Sequence, residues 1–201
     1  MDAVRIITGT ALPLDRSDVD TDQIIPSDWL KRVERTGFDK GLFGEWRDEP
    51  DFVLNREQYA GATILVAGPN FGTGSSREHA VWAIQQYGFR AVVSPRFGPI
   101  FVNNASNCGL LPVAVSEQDG EQLLRSIEAD PTLELTIDVE RRTLEAPAIG
   151  LTLEFPLDDS VQHRLLNGLD DIGITLGHHD DIGSYELSRP SWMPVTTERT
   201  A

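Results

Sequence analysis

The stretch Gly68-Pro69-Asn70-Phe71-Gly72-Thr73-Gly74-Ser75-Ser76-Arg77-Glu78-His79 restricts what this chain can fold into more than any other. Upstream of it, Ala62-Thr63-Ile64-Leu65-Val66-Ala67 is short, rich in β-branched residues and bounded by glycines, which reads as a buried strand. Downstream, Ala80, Val81, Ala83, Ile84 and Tyr87 recur at three-to-four spacing until Gly88, so a helix is expected to start at the serines. A glycine-rich turn from strand to helix therefore delivers two hydroxyls, a guanidinium and an imidazole to a helix N-terminus. Such a terminus offers unpaired N–H groups and the positive end of the helix dipole, which together suit an anionic group.

The same residues have a purely structural reading. Ser75-x-x-Glu78 has the form of a capping box, in which the serine bonds a backbone N–H and the glutamate bonds back. Only one serine can cap, so the second hydroxyl is left for chemistry. A P-loop is excluded because no Gly-Lys-Ser/Thr follows. A dinucleotide fingerprint is poor, since Gly72-x-Gly74 lacks the third glycine and a correctly spaced acidic partner.

The rest of the chain supplies a frame for that turn. Val4 to Thr8 reads as a first strand and Gly9 to Leu14 as a turn. Arg90 to Ser94 reads as a strand after the signature helix, making a strand–helix–strand unit that normally gives a parallel pair. Pro99 to Asn107 reads as a short helix, Leu111 to Val115 as a strand, and Glu121 to Ala129 as a helix with Leu123, Leu124 and Ile127 on one face. From Glu134 the pattern alternates through Leu135, Ile137 and Val139, then Leu151, Leu153 and Phe155, as in an antiparallel pair. A last helix, capped by Ser160 or Asp159, runs from Val161 to Leu166 and continues toward Leu176.

With 201 residues and 40% hydrophobic content the chain can bury a core as one domain, placed at residues 1–188, with 189–201 as a Ser/Pro/Thr-rich tail, mobile or partner-dependent, that includes Pro190 and Pro194. There is no apolar run of transmembrane length and no basic-then-apolar leader, so a soluble, cytoplasmic protein without a membrane partner is expected. The net charge of -15 argues against nucleic acid as a partner, which needs a clustered basic surface. It also opposes the approach of a dianion, although salt screens that field beyond roughly 8 Å, so local arginines can dominate. The single cysteine, Cys108, cannot form an internal disulfide framework or ligate a metal cluster alone, and reads as a small buried hydrophobe. His163, His178 and His179 lack diagnostic ligand spacing and read as surface or packing residues.

Two further stretches have open readings. Asp18, Asp20 and Asp22 alternate, but no glycine at the sixth position or glutamate at the twelfth supports a calcium loop, so they read as a polar loop before Ile24-Ile25-Pro26. Trp29 to Gly37 reads as a short amphipathic helix that packs Trp29, Leu30 and Val33 inward. Phe38 to Tyr59 has no sustained period, and its Phe43, Trp46 and Phe52 could be a private core or a patch for a partner.

Asn70 to His79 resembles the Gly-x-Gly-Ser-Ser-Arg-Glu-His signature of the aconitase superfamily. More closely, the ordered set of Asp20-Thr21-Asp22-Gln23-Ile24-Ile25-Pro26, Phe43-Gly44-Glu45-Trp46-Arg47, Pro50 to Asn55, Gly109 to Val113 and Asn167 to Leu176 resembles the family of 3-isopropylmalate dehydratase small subunits, from about Asp18 to about Tyr185. The resemblance implies an α/β fold, the swivelling β/β/α domain of aconitase type with a mixed sheet flanked by helices. It implies a hydro-lyase of leucine biosynthesis that interconverts 2-isopropylmalate and 3-isopropylmalate through 2-isopropylmaleate. It further implies a [4Fe-4S] cluster held by a large partner subunit and none held by this chain. Carried over by motif, Ser75 is the base, Arg77 binds a substrate carboxylate with Ser76, and Asp22 lies beside them. Leu30 and Val33 are candidates for an apolar wall against the branched alkyl group, although Lys31 and Arg32 could instead serve a longer acid. Glu78 is expected to fix the turn, and His79 to pack or bond at the helix start. The rival readings are a related hydro-lyase of homoaconitase or citraconate hydratase type, and a non-catalytic aconitase-like binding module.

Overall fold

The structure, a computed structural model, describes residues 1–190, 192 and 193. Its frame is a seven-stranded mixed sheet in the order β4-β3-β2-β1-β5-β6-β7. The strands are β1 (Ile6–Leu14), β2 (Ile64–Ala67), β3 (Ala91–Ser94), β4 (Leu111–Ala114), β5 (Glu134–Asp138), β6 (Thr143–Ala146) and β7 (Leu151–Glu154). β1 to β4 are parallel neighbours in space, whereas β5 to β7 form an antiparallel meander attached to the other edge of β1. This is the α/β architecture that the signature implied.

The turn expected at Gly9 to Leu14 is overturned, because those residues continue β1 without a break. Ile6 to Thr10 pair with β5, and Ala11 to Leu14 pair with β2. Residues 11–14 are buried, so they show no alternation to reveal a strand. Even Pro13 is accommodated. The carbonyls of Thr10 and Leu14 accept from Thr63 N and Gly68 N of the β2 side, so odd-numbered residues face the opposite edge, where β5 ends its pairing at Thr10. A missing N–H at Pro13 therefore costs no ladder bond.

Helices flank this sheet: α1 (Thr21–Ile24), α2 (Glu78–Tyr87), α3 (Pro99–Cys108), α4 (Glu117–Ala129), α5 (Asp159–Asn167), α6 (Asp171–Leu176) and α7 (His179–Ser188). α4 begins earlier than its apolar face suggested, because Ser116 caps it by accepting from Asp119 N, and it buries Leu123, Leu124 and Ile127. The antiparallel pair is in fact three strands: β6 is too short to show a period, and Leu144 is its buried anchor. The cap of α5 is Asp158, which accepts from Ser160 N and Val161 N, not Ser160 or Asp159. Nor does that helix run on to Leu176, since it stops at Gly168 and Asp170 caps a new one. Of the expected tail, Pro194 lies outside the described residues. Among the described residues no helix is long and apolar enough to cross a membrane.

Phe43, Trp46 and Phe52 do not form a core of their own but join the main one, with Trp46 packed on its margin. Phe43 and Phe52 are buried, the three ring centroids lie 5.5 to 5.9 Å apart, and the Arg16 guanidinium covers Trp46 at 4.1 Å while pairing with Glu49 at 2.7 Å.

The segments leaving the carboxyl ends of β1, β2 and β3 run side by side and bond one another. Asp18 N donates to Pro69 O (2.9 Å), Gly72 N to Val19 O (2.7 Å), Phe71 N to Arg96 O (2.9 Å) and Gly98 N to Phe71 O (2.9 Å). Their backbones touch at Gly98, where a Cβ would lie 2.3 Å from Gly72 O and 3.1 Å from Thr73 Cα. Nothing there is a side chain that can turn aside. Gly98→Ala is expected to force the segments apart and lower the unfolding free energy by about 1–3 kcal/mol, read as an earlier urea midpoint at unchanged slope.

Candidate functional site

At the carboxyl ends of parallel strands, the place where open α/β sheets bind their ligands, the glycine-rich stretch meets the one-turn helix α1. The polar loop expected around Asp18 to Asp22 is therefore partly helical. Its stability comes from a reciprocal capping box, with Gln23 N donating to Asp20 Oδ1 (2.8 Å) and Asp20 N to Gln23 Oε1 (2.9 Å). Ile24 and Ile25 anchor it in the core. Thr21 N donates to Thr73 O (2.9 Å), Thr21 Oγ1 donates to Ser75 O (3.1 Å), and the Asp22 carboxylate pairs with the Arg77 guanidinium.

The capping box expected at Ser75-x-x-Glu78 does not form. Arg77 is extended (φ -128°, ψ 101°), so α2 starts at Glu78, three residues later than expected, and Arg77 is its N-cap without a side-chain capping bond. Glu78 does not reach back to fix the turn: its Oε1 lies 3.4 Å from Cys108 Sγ on α3. Burial pushes the half-buried Cys108 thiol up to about 11, with Glu78 adding to the shift, so it is inert at neutral pH. His79 packs, with its ring 5.3 Å from Phe38 and 4.8 Å from Trp82.

Ser75 and Ser76 are both exposed, and among the described residues neither hydroxyl has a hydrogen-bond partner. The Arg77 side chain, by contrast, is only 16% exposed and has Asp22 on one nitrogen. A guanidinium carries five N–H donors, so the others remain for a second carboxylate. Two free hydroxyls and a held guanidinium thus sit on consecutive residues at the uncapped start of a ten-residue helix, a combination suited to an anion. Because Ser75 sits two residues ahead of the N-cap, the helix dipole acts on it more weakly than expected, and Arg77 becomes its main nearby positive charge.

Leu30 and Val33 do not share a helical face. Ser27–Lys31 is a single 3-10 turn after Pro26, too short for an apolar stripe. Leu30 is half-buried, but Val33 is 93% exposed and does not pack inward. Trp29 is half-buried, with the Arg32 guanidinium 4.9 Å from its ring.

Several participants were missed from sequence. Asp20 and Gln23 carried a readable signal, because Asp20-x-x-Gln23 has the capping-box spacing. Asn70 and Asp18 carried less. Both adopt positive φ (65° and 55°), which their side chains tolerate, and Asn70 Nδ2 donates to Asp18 Oδ1 (2.6 Å) while Asn70 Oδ1 accepts from Arg96 Nε. That polar chain ties together the three segments that leave β1, β2 and β3.

Residues 1–118 match the model of the aconitase C-terminal domain. Three relatives, each named 3-isopropylmalate dehydratase small subunit, align over nearly the whole chain. That of a Parafrankia species is 60% identical over 196 residues, 98% of this chain and 100% of the relative. That of Rubrobacter xylanophilus is 55% identical, covering 96% and 98%. That of Streptomyces coelicolor is 55% identical, covering 98% and 100%. The crystal structure of 3-isopropylmalate dehydratase from Methanocaldococcus jannaschii superposes with a TM-score of 0.65 at 27% identity, covering 90% of this chain and 99% of that one. With a matching domain, near full-length relatives and a shared overall fold, the chain belongs to the family of 3-isopropylmalate dehydratase small subunits, of the aconitase C-terminal-domain type.

Proposed function

We propose that this chain is the half of a two-subunit isopropylmalate dehydratase that moves the proton, working in the cytoplasm on the route to leucine. The observation that carries the proposal is the exposed Ser75 hydroxyl beside a guanidinium held in place by Asp22. In this reading Arg77 and Ser76 bind one carboxylate of 2- or 3-isopropylmalate. Ser75 Oγ, as the alkoxide, takes the proton from the carbon α to a carboxylate. The C–H electron pair becomes the double bond of 2-isopropylmaleate while the hydroxyl leaves with the C–O pair and takes up a proton to become water. In rehydration water gives up a proton and adds as hydroxide to the other carbon, and the Ser75 hydroxyl returns its proton to the first, which completes the isomerisation.

A serine alkoxide is costly in water. The proposal assigns its stabilisation to Arg77 and to exclusion of water when a partner closes over this corner, since a low-dielectric surrounding strengthens each such interaction. Asp22 acts through Arg77: by occupying one side of the guanidinium it aims the remaining donors.

The reading also assigns a [4Fe-4S] cluster to a large partner subunit. The residues of this chain do not fit that group. Its one cysteine is half-buried with a thiol pushed up to about 11, and among the described residues no three His, Cys, Asp or Glu side chains gather as ligands. Leu30 and the exposed Val33 are assigned to the wall that meets the isopropyl group once the partner encloses the substrate. Leu30 lies on the turn that ends at Lys31 and Val33 follows it, with Lys31 and Arg32 between them exposed.

In a complex reconstituted with a cluster-bearing large subunit, Ser75→Ala is expected to lower kcat by at least about 100-fold with assembly unchanged, as judged by size-exclusion chromatography. A near-normal rate would remove Ser75 as the base. Arg77→Lys is expected to raise KM about ten-fold or more, because a point charge replaces a bidentate clamp. Asp22→Asn is expected to act in the same direction with a smaller effect, and unchanged KM in both would contradict the carboxylate-binding role.

A further inference from the structure

We infer that Thr21 is a positioning residue for Ser75, holding the serine where it can reach the reacting carbon; the inference rests on the proposed role of Ser75 as base. The loop that carries the serine has little structure of its own. Paired backbone bonds join it to the segment after β1 as far as Thr73, whose carbonyl accepts from Thr21 N at 2.9 Å. Gly74 then turns the chain with φ 88°, and α2 does not begin until Glu78. Among the described residues, residues 74–76 make a single hydrogen bond, the one from Thr21 Oγ1 to Ser75 O at 3.1 Å.

Thr21 is suited to that task by where it sits. It is 3% exposed, the first residue of α1, and its backbone is set by the Asp20–Gln23 capping box on one side and by fully buried Ile24 and Ile25 on the other. A β-branched side chain on such a fixed backbone has a restricted χ1, so its hydroxyl has a defined direction. Its neighbour Asp22 holds Arg77. One helical turn therefore grips the loop before, between and after the two free hydroxyls, through the carbonyls of Thr73 and Ser75 and the guanidinium of Arg77. The carboxylate clamp and the base are referenced to the same rigid element. Loss of the Thr21 bond leaves the Arg77 contact intact and releases only the serine.

That separation gives the test. In the reconstituted complex, Thr21→Val removes the donor at nearly constant volume, Thr21→Ala removes it with less risk of crowding, and Thr21→Ser restores it. Misplacing a reacting group by about 1 Å can cost about 100-fold, so Thr21→Val and Thr21→Ala are expected to lower kcat by about ten- to 100-fold. KM should stay within about two-fold of the parent, and Thr21→Ser should recover most of the rate. Parental kcat in both variants, with Ser75→Ala inactive, would overturn the positioning role while leaving the serine as base. A Ser75→Ala complex with a near-parental rate would overturn the base itself, and the positioning role with it.

Discussion

The change of partner along β1 is the constraint on which the rest of the structure depends. The strand gives its first half to an antiparallel neighbour and its second half to a parallel one. Parallel pairing aligns the carboxyl ends of β1, β2 and β3, so the segments that leave them emerge together and can bond edge to edge. The antiparallel pairing occupies only the amino-terminal half, which leaves the other edge of β1 free near Pro13 and the site end of the sheet uncrowded. Reversing the pairing of β1 with β2 would carry Asp22 to the opposite end of the sheet from Ser75 and Arg77.

From that alignment the site follows by short-range chemistry. The stretch after β2 cannot close on itself, because its glycines favour turns over packing and its two serines face solvent. Order is lent to it by α1, an element of four residues that would be unstable alone and that persists through its capping box and its two buried isoleucines. Within a strongly acidic chain, Arg77 is a buried-stemmed arginine whose acidic partner Asp22 occupies only part of its donor set. An anion arriving there meets local attraction that a long-range field of the opposite sign does not cancel.

How much of this was legible in the sequence varied with the kind of signal. The glycine-rich junction, the parallel unit after it, the helix of residues 99–108 and the 121–129 part of α4 were readable because apolar spacing and turn residues agreed. β1 was misread beyond Thr8, since burial removed its alternation and Gly9 and Pro13 look like turn residues out of context. The capping box was expected at Ser75 and found at Asp20. Both have the spacing, and at the serines the bonds from Thr21 to the carbonyls of Thr73 and Ser75, with Arg77 extended, keep the helix from starting before Glu78. Val33 was expected inward because a pattern of large apolar residues presumes a helix longer than the single turn that Pro26 and the following charges allow. The Asp18–Asn70–Arg96 chain had no linear signal, as its members come together only once three strands are aligned.

The central claim is that this corner is half of an active site for isopropylmalate. Its most direct test is hydration and dehydration activity toward 3-isopropylmalate, citraconate and homoaconitate, measured for the chain alone and after anaerobic mixing with a reconstituted cluster-bearing large subunit. No turnover is expected from the chain alone, and turnover by the mixture is expected to be highest with 3-isopropylmalate. Inactivity of a properly reconstituted mixture toward all three acids, or activity confined to one of the other two, would contradict it.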